Sequence, residues 1–107
     1  MAAERTLAFG QDFLDELLKV EQYLGRFARR RGRLFTKAVV DFAYETVGPL
    51  PEAFPRYQHP LLPDAPLRRA IFRREYALLY RVTDEEVVFV YFYFTRRDIS
   101  QQPLKLN

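Results

Sequence analysis

Cysteine is absent from this 107-residue chain, and histidine occurs only once, as His59. Without cysteine no disulfide framework can form, and a single histidine cannot provide the shared ligand set of a zinc site. We therefore expect neither a metal nor another cofactor. His59 lies between Gln58 and Pro60 in a proline-rich segment, which predicts a surface position for its ring.

Long apolar runs are missing as well. No run approaches the roughly 20 residues that a bilayer-spanning helix needs, and the charged N-terminal residues lack the apolar core of a secretory signal. These features predict a cytoplasmic protein with no membrane partner. At 107 residues, of which 49% are hydrophobic, the chain is long enough for one core and one domain, residues 1–107.

Positive charge is in slight excess, with 17 lysines and arginines against 14 acidic residues. Arginine carries most of it and is clustered along the chain. Because a guanidinium can contact phosphate or carboxylate in a bidentate manner, this pattern favours a nucleic acid or an acidic protein as partner. Ordinary solvated charge is the alternative.

Three strand-like runs follow one another closely in the last third of the chain, at residues 67–73, 76–83 and 87–94. Each is rich in apolar, aromatic and β-branched residues, and only short charged turns separate them. Such turns cannot hold the crossover that parallel neighbours require, so residues 67–95 are predicted to form an antiparallel meander. The last run is apolar throughout, which predicts a strand covered on both faces.

The N-terminal half predicts one strand and two helices. Weak alternation indicates a strand at residues 4–9, and apolar residues at helical spacing indicate helices at residues 12–31 and 33–47. In this interpretation Gly32 ends the first helix, and the arginines just before it complement the helix dipole. The short junction makes the two helices an antiparallel hairpin, whose apolar face should cover the meander.

Two segments show no sustained period. Residues 49–66 contain six prolines and are predicted to form a surface loop, while residues 98–107 form a tail with little apolar content. The predicted fold is therefore α+β: an N-terminal strand and an antiparallel helical hairpin packed on one face of an antiparallel sheet, which the C-terminal three-stranded meander completes.

The segment 73–84, RREYALLYRVTD, is followed by the apolar run 87–94 and by Arg96-Arg97-Asp98. In this order the chain resembles the RelE/ParE superfamily of bacterial toxins. Those proteins share a tyrosine, two aliphatic residues, Tyr-x-Val and an acidic turn, followed by an apolar strand that ends in basic residues. The resemblance implies the toxin of a type II toxin–antitoxin pair, inhibited by a cognate antitoxin with which a toxin–antitoxin hetero-oligomer could form.

The resemblance leaves the target open, because the superfamily has two main branches with different targets. RelE-like toxins cleave messenger RNA on the ribosome, and they typically carry an arginine where this chain has Ala77 and a histidine or tyrosine near Thr95. ParE-like toxins poison DNA gyrase, and the Leu67-Arg68-Arg69 sequence and residues 76–82 resemble that branch. We favour the ParE-like reading, in which action comes from binding, and leave open whether the chain is an enzyme. An inactive family member that serves as a binding or regulatory module is a third reading.

Five arginines are the candidate residues for binding the target or the antitoxin: Arg69, Arg73, Arg74, Arg96 and Arg97. The first three lie in or beside the first strand of the meander, and the last two follow its final strand. A salt-bridge network with Glu75 and Asp98 is the alternative role for them.

Overall fold

A computed structural model describes residues 4–106 and confirms the α+β class. Residues 1–3 of the predicted domain and Asn107 of the predicted tail lie outside this part. Among the residues described, no helix is long and apolar enough to cross a membrane. The elements are β1 (Thr6–Phe9), α1 (Gln11–Leu24), α2 (Arg29–Phe42), a π-helical turn (Ala43–Val47), a 3-10 turn (Pro51–Ala53), β2 (Arg56–His59), β3 (Leu62–Phe72), β4 (Tyr76–Val82) and β5 (Glu86–Phe94).

The five strands form one sheet in the order β1-β5-β4-β3-β2. The predicted meander is confirmed, since β3, β4 and β5 pair antiparallel in sequence order. β1 instead runs parallel to β5, so the sheet is mixed rather than purely antiparallel. In β5, Val90 is an extra residue between the partners of Leu79 and Tyr80. This bulge places Val90 and Tyr91 on the same side of the sheet.

Both faces of the sheet are covered, as the apolar sequence of β5 predicts. One face packs against α1 and α2 and carries the larger core, which includes Phe13, Phe35, Tyr80, Phe89 and Phe92. The other face carries a second cluster of buried residues: Leu67, Ala77, Leu79, Val88, Val90, Tyr91, Tyr93 and Ile99. We call these the helix face and the tail face.

The predicted boundary between the helices is wrong. α1 ends at Leu24, and Gly25 to Ala28 connect it to α2, which begins at Arg29. The sequence reading extended α1 because Phe27 and Ala28 continue its apolar spacing, but both side chains are exposed. Arg29, Arg30 and Arg31 therefore belong to the first turn of α2 and not to the last turn of α1.

Gly32 lies inside α2 and is buried, so its predicted role as a helix stop is also wrong. A Cβ atom at this position would lie 2.2 Å from the carbonyl oxygen of Glu21 on α1. The absence of a side chain thus lets the two helices approach closely. Thr36, one turn later, donates a hydrogen bond of 2.6 Å to the Glu21 carboxylate and fixes the same crossing.

The segment predicted as a loop contributes strands instead. β2 and the start of β3 both fall within residues 49–66, and they pair antiparallel at the edge of the sheet. Pro63 and Pro66 are compatible with β3 because proline is tolerated beside an edge, where ladder hydrogen bonds are incomplete. The proline content of this segment predicted a loop, but an irregular pair of strands forms there.

The C-terminal tail packs on the sheet rather than extending away from it. Ile99 is buried in the tail face, and Leu104 and Leu106 pack against it. The Arg81 Nε donates a 2.6 Å hydrogen bond to the Leu106 carbonyl. These three apolar residues are enough to order the tail, because the sheet face that they cover is itself apolar.

Candidate functional site

Three of the candidate arginines lie at one end of the sheet. Arg73 and Arg74 form the β3–β4 turn, and Arg96 follows β5. These segments are adjacent because Tyr76 pairs with Phe94, and because the Thr95 amide donates a 2.7 Å hydrogen bond to the Glu75 carbonyl. We call Arg73, Arg74 and Arg96 the sheet-end patch.

The backbone of the β3–β4 turn is in an unfavourable conformation. Arg73 and Arg74 have φ angles of 51° and 68°, the left-handed region that glycine and asparagine adopt most easily. Each non-glycine residue held there costs on the order of 1 kcal/mol. Turn geometry therefore does not account for two arginines at these positions.

The three side chains of the sheet-end patch are exposed, and two of them lie over aromatic rings. The Arg73 guanidinium is 4.8 Å from the ring centre of Phe72, and that of Arg96 is 5.7 Å from the ring centre of Phe94. The four ion pairs within residues 4–106 involve Arg5, Lys19, Lys37 and Arg97. The guanidinium groups of Arg73 and Arg96 are thus positioned by rings, and the charge of all three sheet-end arginines stays unpaired in the part of the chain described.

Arg97, in contrast, takes part in a charge network on α1. Its guanidinium donates to the Glu16 carboxylate at 2.8 Å and to the Gln102 amide oxygen at 3.0 Å. Lys19 contacts the other oxygen of the same carboxylate at 2.6 Å. The predicted partners Glu75 and Asp98 are not involved, since Asp98 accepts a hydrogen bond from the Ser100 amide. Arg97 therefore links the tail to the helices.

This network borders a cavity of about 490 Å³, which Glu16, Lys19, Tyr91 and Arg97 help to line. Burial raises the pKa of the Tyr91 phenol, and the nearby Glu16 carboxylate raises it further. A carboxylate, two cations and a phenol thus meet beside the end of β5. No group of three or more His, Cys, Asp or Glu residues in the described range is arranged to hold a metal ion.

Arg69 lies apart from the other candidates, in the middle of β3 on the tail face. It donates a hydrogen bond of 3.3 Å to the Tyr93 hydroxyl, and its guanidinium is 5.2 Å from the ring centre of Tyr57. Half-buried and bonded in this way, Arg69 helps to pack the sheet and does not belong to the sheet-end patch.

His59 is fully buried, so the prediction of a surface position is wrong. Its Nδ1 accepts a 3.1 Å hydrogen bond from the Leu61 amide. The other ring nitrogen, Nε2, must then carry the proton and donate to the Ile99 carbonyl at 2.8 Å. Both nitrogens are satisfied, and the ring ties β2 to the tail. The residues that flank His59 do not indicate that its ring is buried, because its hydrogen-bond partners are a backbone amide 2 residues away and a backbone carbonyl 40 residues away.

The two positions that mark the nuclease branch in the sequence are structural here. Ala77 is fully buried in the tail face, where an arginine would have to displace packed side chains. The Thr95 hydroxyl lies 3.4 Å from the Arg74 carbonyl, to which it donates. Neither residue offers an acid, a base or a cation.

Sequence reasoning missed a second group of arginines, at the corner between α1 and α2. Arg26, Arg29, Arg30, Arg31 and Arg33 are all exposed there. The sequence reading places Arg26, Arg29, Arg30 and Arg31 at the C-terminal end of a longer first helix, where the dipole explains positive charge, and it places Arg33 at the start of the second. The signal that could have revealed them is the absence of any acidic residue between Tyr23 and Leu34.

A groove of about 440 Å³ lies between this corner and the sheet end. Tyr23 of α1 and the aromatic residues Tyr76, Phe92 and Phe94 of the sheet are among the side chains that line it. The corner and the sheet-end patch thus flank one aromatic groove.

No protein-family model matches the chain, and no curated protein matches it. The resemblance to the RelE/ParE superfamily therefore depends on residues 73–98 and on the order of the elements.

Proposed function

We propose that this chain is the toxin of a type II toxin–antitoxin pair and belongs to the ParE-like branch. It inhibits growth in the cytoplasm by binding an essential target, DNA gyrase, and a cognate antitoxin neutralises it. The motif in residues 73–98 supports this proposal, as does the order of strand, helical pair and meander that the resemblance implies.

The observation that carries the proposal is the sheet-end patch. Three guanidinium groups with no ion-pair partner within residues 4–106 project from one end of a well-packed sheet, and two of them occupy a turn whose backbone disfavours arginine. Strain of this kind concentrates at functional sites. Glu75 lies in the same turn but forms an ion pair with none of these arginines among the residues described, so the patch presents cations suited to binding a negatively charged partner.

Cleavage of RNA through the ribose 2′-hydroxyl requires a group that activates the hydroxyl and a group that protonates the leaving oxygen. The only histidine has both ring nitrogens engaged inside the protein, and Ala77 replaces the arginine of the nuclease branch. The absence of a free histidine and of that arginine favours a toxin that acts by binding.

A RelE-like endoribonuclease is the second candidate, and one feature favours it. Glu16, Lys19, Tyr91 and Arg97 bring a carboxylate, two cations and a phenol to the edge of one cavity, a combination that could in principle transfer protons and stabilise a phosphate. Against it, both cations already pair with the carboxylate, and Tyr91 is buried.

The proposal also assigns a place to the antitoxin. The groove between α1 and the sheet presents the rings of Tyr23, Tyr76 and Phe94, an apolar surface that an amphipathic segment of an antitoxin could cover. Covering it would bring the antitoxin beside the sheet-end patch, so one partner could block access of the target.

The experiment is to induce the protein from a repressed promoter and, as growth stops, to measure both gyrase–DNA cleavage complexes and breaks in translated messages. We expect trapped gyrase complexes and intact messages. A Glu16→Gln variant serves as the matched test of the alternative, because Glu16 is the carboxylate that pairs with Lys19 and Arg97, and Asp12→Asn and Asp15→Asn variants test the two other carboxylates that line the cavity.

Message cleavage that follows codon phase, and that the Glu16→Gln change abolishes, would replace the proposal with the nuclease reading. Full growth under strong induction, with folded protein present, would favour an inactive binding module.

A further inference from the structure

The corner between α1 and α2 carries the densest net positive charge in the chain. The twelve residues from Tyr23 to Leu34 include five arginines and no acidic residue. All five side chains are exposed. We call Tyr23, Phe27 and these five arginines the corner patch.

Ion pairing does not account for the corner arginines. The ion pairs found within residues 4–106 use other cations. Because these guanidinium groups have no carboxylate in reach among the residues described, their charge is available to a partner.

Helix stability does not account for them either. Arg29, Arg30 and Arg31 occupy the first turn of α2, which has no acidic residue, and the N-cap Ala28 provides no side-chain hydrogen bond. Cations at this end oppose the helix dipole, and Arg29 and Arg33 repel each other one turn apart. The fold tolerates these arginines at a cost in stability, which indicates that another interaction retains them.

Aromatic rings are interleaved with the charge. Phe27 exposes 88% of its surface and Tyr23 exposes 60%. The Arg26 guanidinium lies 4.4 Å from the ring centre of Tyr23 and 5.1 Å from that of Phe27. An exposed phenylalanine beside a stacked guanidinium contributes nothing to the core, but it offers a face on which a nucleobase can stack.

We propose that the corner patch is a docking surface for single-stranded nucleic acid, independent of the toxin's protein target. The arginines contact the phosphate backbone, and Tyr23 and Phe27 stack on unpaired bases. Arginine is suited to bidentate phosphate contact, and unpaired bases are available to aromatic side chains only in single strands. An acidic peptide would use the same charge but leave Phe27 without a stacking partner.

The test is fluorescence anisotropy of the full-length protein with a labelled oligouridylate of about 20 nucleotides, at several salt concentrations. The Arg30→Gln/Arg31→Gln variant should weaken binding at least about tenfold, and it should reduce the slope of log affinity against log salt by roughly 1.4, because each single-strand phosphate contact contributes about 0.7.

A matched control removes the same charge elsewhere. Arg56 and Lys105 are exposed and take no part in the ion pairs described above. The Arg56→Gln/Lys105→Gln variant should bind within about threefold of the native protein, since net charge alone contributes only weak, diffuse attraction.

Phe27→Ala should weaken binding roughly tenfold and leave the salt slope unchanged, because stacking releases no counterion.

The proposal is overturned if the native protein does not bind the oligomer at about 50 mM salt, or if the control variant loses as much affinity as the corner variant. Equal affinity for polyglutamate would overturn it in favour of an acidic protein partner. Since none of these readings involves growth or gyrase, they are independent of the outcome for the toxin proposal.

Discussion

Tyr80 shows at the scale of one residue how a polar group is accommodated in this core. It is fully buried on the helix face, and its hydroxyl donates to the Pro51 carbonyl. Burial raises the pKa of the Tyr80 phenol to about 12, slightly offset by the nearby positive charge of Arg68. The hydroxyl therefore stays protonated and ties the 3-10 turn to the sheet across the physiological range.

This pKa predicts how stability changes in alkaline solution. The unfolded phenol titrates near pH 10, so the stabilising contribution of neutral Tyr80 is complete below that pH. It is lost as pH rises from about 10 to 12, because the unfolded chain releases the proton first, and the full loss is roughly 2.7 kcal/mol.

Denaturant unfolding of the native protein and of Tyr80→Phe isolates this contribution. Near pH 7 the variant should be less stable by about 1–2 kcal/mol, because Pro51 loses its hydrogen-bond donor. The difference should fall through zero and change sign as pH approaches 12, because the native protein loses up to roughly 2.7 kcal/mol while the variant, which has no phenol at this position, loses none of it. A difference that stays constant over this range would show that Tyr80 does not titrate as described.

At the scale of elements, the close approach of α1 and α2 depends on Gly32. A methyl group there would meet backbone atoms of Glu21, at 2.2 Å from the oxygen, and backbone cannot move aside as a flexible side chain can. Gly32→Ala should therefore force the helices apart and reduce the free energy of unfolding by about 2 kcal/mol or more, as overpacking commonly does. Chemical denaturation measures the loss.

Gly48→Ala is the matched control. The nearest atoms to an added Cβ there are the backbone oxygens of Ala43 and Tyr44 and the end of the Leu7 side chain, each at 3.2 Å. That is 1.0 Å farther than the closest atom at Gly32, so a small shift suffices. We expect a change below about 1 kcal/mol. If the two variants lose stability equally, the close helix crossing is not what makes Gly32 necessary.

The difference between local signals and contacts between elements explains which parts of the fold were predictable from the sequence. Apolar, aromatic and β-branched composition and turn length identified β3, β4 and β5, because these signals arise within neighbouring residues. The end of α1 was misplaced because Gly32 serves a contact with Glu21, 11 positions earlier in the sequence, which local propensity cannot reveal. The tail was underestimated for a similar reason: Ile99 is buried by a sheet face whose apolar character lies in other strands.

At the scale of the whole molecule, eight of the 17 lysines and arginines belong to two exposed patches. The sheet-end patch and the corner patch lie on either side of the aromatic groove that Tyr23, Tyr76 and Phe94 line. The acidic residues that form ion pairs, such as Glu16 and Asp41, meet other cations. Such an arrangement steers the protein toward a negatively charged partner and orients it on approach.

The candidate site was predictable only in part. Arg73, Arg74 and Arg96 could be named from the sequence because the meander brings the two segments together. Arg69 and Arg97 carry the same charge, but Tyr93 and Glu16 engage them, and those contacts come from β5 and α1. Whether an arginine is free depends on packing between elements, which a pattern along one segment does not record.

The central claim is that the sheet-end patch acts by binding. Growth after induction of an Arg73→Asn/Arg74→Gly variant tests this claim most directly. Asparagine and glycine suit the positive φ angles of the turn, so the variant should unfold at a higher denaturant concentration while losing two cations of the patch. We expect it to permit normal growth, whereas an Arg56→Ala control, altered on β2 outside the patch, should arrest growth as the native protein does. Arrest by the stabilised turn variant at the native level would contradict the account, because it would show that the protein does not act through these arginines.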